Sequence, residues 1–200
     1  MIDRTKFFAG IRQQPFPGKL KQAQVDGCEV ILAEWERRKI DDLRFLAYML
    51  ATTKWETDDT MQPIQEAGGK AYLTRMYDVN GQRPALARRN GNVNPGDGAR
   101  YSGKGYVQLT WRNNYRKMGS LLGLPLENAP EMAMQPGIAC QIMFEGMLHG
   151  LFTGNKLSDY FDGRITDWVN ARRIINGTDK AVVIAGIANQ FYADLVQASA

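Results

Sequence analysis

Two glutamates, Glu56 and Glu66, are the residues of this chain whose type and spacing best suit chemistry. Ten positions separate them, across Thr60-Met-Gln-Pro-Ile64, so the first ends a helical pattern and the second falls in the loop beyond. Cleaving a glycosidic bond needs a carboxylic acid to protonate the leaving oxygen. It also needs a carboxylate to activate water or attack the sugar. A carboxyl held against apolar neighbours such as Met49 or Trp55 resists ionising and suits the acid role, whereas a solvated loop carboxylate stays charged and suits the base. The ordinary fate of two such glutamates is a solvated surface, so spacing alone leaves that alternative open.

Competing chemistries find less support. The one histidine, His149, lies in the helical stretch Met147-Leu-His-Gly150, and with no G-x-S-x-G motif present it reads as structural. H-E-x-x-H, C-x-x-C, EF-hand and P-loop patterns are absent, so no metal and no cofactor are expected.

These glutamates must be positioned by helices. Val25, Cys28, Leu32 and Trp35 recur at three- and four-residue steps and predict a helix from Gln22 to Lys39. Asp41 and Asp42 offer N-cap oxygens to a second helix, whose stripe begins Leu43, Leu46, Ala47, Leu50. Continued at 100° per residue, that helix places Thr53 and Thr57 under the stripe and Glu56 on its flank, near Met49. Between Asp58 and Gly105 eight glycines occur among Asn, Asp and Pro, a composition favouring turns and short strands over helices. Tyr106 to Leu109 is the best strand candidate. Helical spacing returns at Trp111, Tyr115, Met118 and Leu122, at Ile138, Ile142 and Met147, and at Ile184, Phe191 and Leu195. The expected fold class is α+β, mostly helical: one domain of two lobes, with a small glycine-rich β wing after the second long helix and a cleft for a polymer.

Composition sets wider bounds. Two hundred residues with 44% hydrophobic and 23% charged content suit one sizeable globular domain. The 25 Lys and Arg against 21 Asp and Glu leave a net charge of +4, which favours anionic polymers without naming one. Arg88-Arg89 and Arg172-Arg173 are isolated pairs rather than a stripe, so no nucleic-acid partner is expected. No apolar run approaches about 18 residues, and Met1 to Leu20 lacks the apolar core of a secretory signal, so no membrane insertion is expected. Cys28 and Cys140 read as buried thiols of a chain kept in the cytoplasm.

Three segments carry a family resemblance. Lys54-Trp-Glu-Thr57 followed by Met61-Gln-Pro-Ile-Gln-Glu-Ala-Gly-Gly69 resembles the catalytic segment of family-nineteen glycoside hydrolases, which include chitinases and many phage endolysins. Tyr101-Ser-Gly-Lys-Gly-Tyr-Val-Gln-Leu-Thr-Trp-Arg-Asn-Asn-Tyr115 resembles the family's cleft strand, with Lys104 in the usual Arg place. Ala171-Arg-Arg-Ile-Ile-Asn-Gly-Thr-Asp179 resembles its I-N-G turn. The segments stand in family order, and the endolysin branch fits best. The resemblance implies a single lysozyme-like, chitinase-like catalytic domain over residues 1–200, with N-terminal helices in 1–44 and family character over 45–200.

By that resemblance Glu56 is the general acid and Glu66 the general base of an inverting hydrolysis, their carboxyls roughly 6.5–9.5 Å apart. Thr110 holds the attacking water, and Gln108, Asn114 and Asn176 bind substrate N-acetyl or hydroxyl groups. Asp78 is a reserve base, since plant members place theirs later. Trp55 departs from the pattern, standing where the family has His. It packs under the acid, stacks on a sugar, or simply fills the core. Tyr106 and Trp111 carry the same alternatives, and Gly103 and Gly105 are better explained by backbone geometry than by chemistry. The implied function is degradation of peptidoglycan by a monomeric lysozyme-type endolysin of a phage or prophage host, held in the cytoplasm until released to the wall. A chitinase acting on N-acetylglucosamine polymer and a catalytically weakened saccharide-binding protein are the alternatives.

Overall fold

A computed structural model describes residues 1–199. Among them the chain divides into two compact units, one built from Met1–Gln62 and Met143–Ala200, the other from Pro63–Ile142.

The first unit is helical. Its central helix, α3 (Leu43–Glu56), starts where the Asp42 carboxylate accepts a hydrogen bond from the Arg44 N–H at 3.0 Å. Every residue from Leu46 to Lys54 is buried, so α3 is apolar nearly all round rather than striped. It packs chiefly on α9 (Ala181–Ser199), through Ile184, Ala188, Phe191 and Leu195. Against α9 also lies α1 (Arg4–Ile11), whose Phe7 ring stacks on Phe191 at 6.5 Å. The predicted Gln22–Lys39 helix is α2 (Gln22–Arg38), stopped by Lys39 in the left-handed conformation. It buries Cys28, Ile31, Leu32 and Trp35, and neither cysteine forms a disulfide.

Beyond α3 the chain docks onto α2. The Gln24 amide donates to Asp59 O (2.8 Å), the Gln62 amide to Ala23 O (2.6 Å), and Thr57 Oγ1 accepts from the Met61 N–H (3.1 Å). Gly27 makes this docking possible, because a Cβ there would lie 1.9 Å from Met61 O. Gly27→Ala is therefore expected to destabilise the protein by about 2 kcal/mol or more, read as a lowered thermal midpoint. A midpoint within about a degree of wild type would contradict this.

The second unit keeps the short strands expected in the glycine-rich stretch but adds helices that the expectation lacked. It holds three helices there: α4 (Gly69–Tyr77), α5 (Pro84–Arg89) and α6 (Asp97–Arg100). Several breakers stand at the helix starts: Gly68 and Gly96 are N-caps and Pro84 opens α5, while Gly98 lies within the four-residue α6. What lies between them, such as Lys70-Ala-Tyr-Leu-Thr-Arg-Met76, is good helix material. The strand is also displaced from Tyr106–Leu109. It is β2 (Lys104–Gly105), antiparallel to β1 (Ile64–Gln65), and Tyr106–Gln108 turn so that Leu109 bridges back to Lys104. Gln108, at φ 53°, makes that turn. The helix α7 (Arg112–Leu122) follows, ending on left-handed Gly123. The last long helix, α8 (Pro136–His149), runs through the residue at which the units divide. No helix among the described residues is long and apolar enough to cross a membrane.

Candidate active site

The predicted site residues fall into two groups, one in each unit. Trp55, Glu56 and Asn176 belong to the first; Glu66, Tyr106, Gln108, Thr110 and Asn114 belong to the second.

In the first unit, Glu56 is the last helical residue of α3, its side chain 18% exposed. The expected apolar setting is replaced by an ion pair. Arg172, itself buried, donates from Nη1 to Glu56 Oε1 at 2.5 Å. Arg172 sits on a short 3-10 turn, Asn170–Ile174, and its Nε donates to Asp179 O at 3.1 Å. The segment 171–179 thus closes a loop around its own guanidinium and aims it at Glu56. Two further backbone bonds, from the Ile175 and Asn176 N–H groups to Arg172 O, hold the turn at 3.1 Å each. Sequence reading took Arg172 as half of an isolated basic pair. The available signal was its place in the third family-like segment, since a buried carboxylate requires a cation.

Removing that cation should be costly. Arg172→Met is expected to lower unfolding stability by about 2 kcal/mol, less than for a fully enclosed pair because Glu56 is partly solvated. Arg172→Lys should recover part of the loss in a urea titration. Equal midpoints for all three proteins would show the pair to be idle.

Asn176 is exposed, and its Oδ1 accepts from the Gly177 N–H at 2.8 Å. Trp55 is 36% exposed, more open than a core residue.

In the second unit, Glu66 follows β1 and extends its pairing, with the Glu66 N–H donating to Gly103 O at 2.8 Å. Its carboxylate is held from two sides. Oε1 accepts from the Tyr77 hydroxyl at 2.7 Å, and Oε2 from the Gly103 N–H at 3.2 Å. A Cβ at Gly103 would stand 2.7 Å from Gln108 Oε1 and 3.2 Å from Glu66 Oε2, so a larger residue there would displace one of these side chains. Burial, and then the Glu66 carboxylate, push the Tyr77 phenol well above its ordinary range, so it remains a donor. Trp111 packs edge-on against Tyr77 at 5.1 Å, which gives that aromatic a supporting role.

Behind Glu66 runs a ladder of the other predicted residues. The Gln108 amide donates to Ile64 O (3.0 Å) and Gly105 O (3.2 Å), which ties β1 to the turn. Thr110 Oγ1 donates to Gln108 O (2.8 Å), and the Asn114 amide to Thr110 O (2.8 Å). All three side chains are half-buried, with one face on the fold. Lys104 is buried and caps this region by donating to Arg100 O at 2.8 Å. Burial brings its ammonium down to about 8, against the opposing pull of Glu131 and Glu66.

Two sequence expectations are corrected. Tyr106 is fully buried, so its ring has no face for a sugar and belongs to the core. Asp78, the reserve base, is also buried; its oxygens accept from the N–H groups of Gly96 (2.7 Å), Gly98 (3.2 Å) and Asn80 (3.2 Å), which pin α6 to the end of α4. Tyr77 is the residue that sequence reading missed. It neighbours Asp78 and is half-buried at the end of α4. His149 is exposed at the end of α8, 3.4 Å from Glu145. No cluster of three metal-ligating side chains occurs among the described residues.

Comparison with known proteins bears on the fold. Chitinase C from Streptomyces griseus superposes with a TM-score of 0.64 over 98% of this chain and 76% of its own, at 19% identity. A mutant of chitinase C gives the same TM-score at 18% identity. A segment of 45 residues is 47% identical to an Arabidopsis thaliana endochitinase, covering 22% of this chain and 16% of that protein's length. No protein-family model matches the sequence. The chain thus has the mostly helical, lysozyme-like α+β fold that its sequence implied.

Proposed function

We propose that this chain is a glycoside hydrolase of the endolysin type that degrades peptidoglycan by an inverting mechanism. The observation that carries the reading is that both candidate carboxyls are held by dedicated donors, Glu56 by Arg172 and Glu66 by Tyr77 and Gly103. The likeness of fold to chitinase C and the short match to an endochitinase support polysaccharide as the substrate class.

In this reading Glu56, whose side chain solvent reaches, takes up a proton before the reaction and gives it to the leaving oxygen, and Arg172 stabilises the carboxylate that remains. Glu66 takes a proton from the attacking water, while its two donors keep the carboxylate oriented. Thr110, whose hydroxyl hydrogen is committed to Gln108 O, offers lone pairs to that water. Gln108, with both amide hydrogens on backbone carbonyls, meets substrate through its oxygen. Asn114 and Asn176 contact substrate hydroxyl or N-acetyl groups, and Trp55 stacks on a sugar ring.

The chitinase reading has its own support in the comparisons, and Trp55 in the family's His position favours the weakened, saccharide-binding one. One assay separates the three: turbidity loss of outer-membrane-permeabilised Gram-negative cells, followed by hydrolysis of soluble chitin oligomers. Clearing with glycan fragments in the mass spectrum supports peptidoglycan. Activity on chitin oligomers alone transfers the enzyme to neutral polymer. Binding without cleavage of either overturns the hydrolase reading.

A further inference from the structure

The unit of residues 63–142 has a charge surplus that catalysis by carboxyls does not explain. It carries ten Lys and Arg against five Asp and Glu, while the remainder of the chain has fifteen against sixteen. Its acids are largely spent within the fold. Asp78 and Asp97 are buried on backbone amides, Glu127 pairs with Arg112 and Arg116, and Glu66 is held by Tyr77. Glu131 is the one remaining exposed acid in this unit, against exposed Lys70, Arg75, Arg83, Arg88, Arg89 and Lys117.

One groove of this unit joins the surplus to the candidate base. Glu66, Gln65 and Leu73 line it together with Lys70 and Arg100. Gly69 and Gly96 also line it, and at both the space a Cβ would occupy is open. Lys70 makes no ion pair among the described residues. Arg100 is oriented: one N–H donates to Asn128 O at 2.8 Å, and the guanidinium lies over the Tyr101 ring, 5.5 Å from its centre. A guanidinium so braced keeps further donors for a planar anion and loses little freedom on binding one. Glu66 is already satisfied by its own donors, so Lys70 and Arg100 are the groups left to meet an anion in the groove. The pair suits one carboxylate on a sugar ring.

We infer that Lys70 and Arg100 form a carboxylate subsite beside Glu66, which selects glycans with carboxylate-bearing sugars over neutral N-acetylhexosamine polymer. The inference rests on the hydrolase reading for the substrate being a glycan.

The test compares kcat/KM on three oligosaccharides of equal length at low ionic strength. These are peptidoglycan fragments with free carboxyls, the same fragments with carboxyls amidated, and chitin oligomers. The wild type should prefer the free-carboxyl form by about tenfold, through KM, and high salt should shrink that preference. Lys70→Gln and Arg100→Gln should each lose part of the preference, and the double variant most of it. Lys70 is exposed and unpaired, so Lys70→Gln reports on the subsite even where Arg100→Gln disturbs the fold. Equal rates on free and amidated fragments, or a preference retained by the double variant, overturn the subsite. So does inhibition by short polyphosphate as strong as that by the carboxylated fragment, which marks a general polyanion surface. If the wild type cuts no glycan, the hydrolase reading fails on its own. Calorimetric binding of the free and amidated fragments then decides the subsite: the same preference, lost in the double variant, upholds it, and equal or absent binding overturns it.

Discussion

Glu56→Gln is expected to lower kcat about a thousandfold on any glycan the wild type cuts, with KM nearly unchanged. The amide has the shape of the carboxyl and keeps an oxygen to accept from Arg172, so the end of α3 should stay in place. What is lost is the proton that the leaving oxygen requires, a loss confined to the transition state. Two measurements give this content. Steady-state kinetics should show the fall in kcat, and a thermal melt should show a folded protein whose midpoint is only modestly reduced, because Arg172 then lacks its counter-charge. A substrate with a good leaving group, such as an aryl glycoside, needs less protonation and should recover much of the rate. Activity within about fivefold of wild type on a natural glycan would remove Glu56 from the acid role.

The ease with which the sequence yielded α2 and α3, and the difficulty of the glycine-rich stretch, have one cause. Apolar residues at three- and four-residue steps report a helix directly, because the packed face must recur with the helical period. Glycine, proline and asparagine report only where an element stops, and in 68–100 they mark the ends of short helices that have too few turns to show a period. The site divides similarly. Glu56 and Glu66 stood out because their segments resemble the catalytic segment of a known family, where spacing alone left a solvated surface open. Their partners did not, because Arg172 lies 116 positions from Glu56, and Tyr77 meets Glu66 only after α4 has folded back on β1. Asp78 shows the reverse error. The resemblance offered it as a base because plant members place theirs later, yet Gly96 and Gly98 supply backbone N–H groups that satisfy it in the interior. For Tyr106 the sequence left sugar stacking and core packing both open, and the turn at 106–108 places the ring in the core.

Glu66→Gln should be as damaging as the change at Glu56, but by a different route that the product can reveal. The carboxylate accepts from two donors, Tyr77 and Gly103, one on each oxygen. Glutamine can turn its oxygen to the Gly103 N–H and its amide nitrogen to the Tyr77 oxygen, which rotates from donor to acceptor, so the fold is kept. An amide cannot take a proton from water, and kcat should fall by on the order of a thousandfold. If Glu66 is a base acting on water, the wild type inverts the anomeric centre, and NMR of the first-formed products from a β-linked glycan should show the α-anomer. Azide, already an anion and small enough to stand where water attacks, should then restore turnover to Glu66→Gln and give the α-glycosyl azide. Azide should do nothing for Glu56→Gln, whose missing step is protonation of the leaving group. Products of retained configuration would make the second carboxyl a nucleophile instead and assign this chain the double-displacement mechanism.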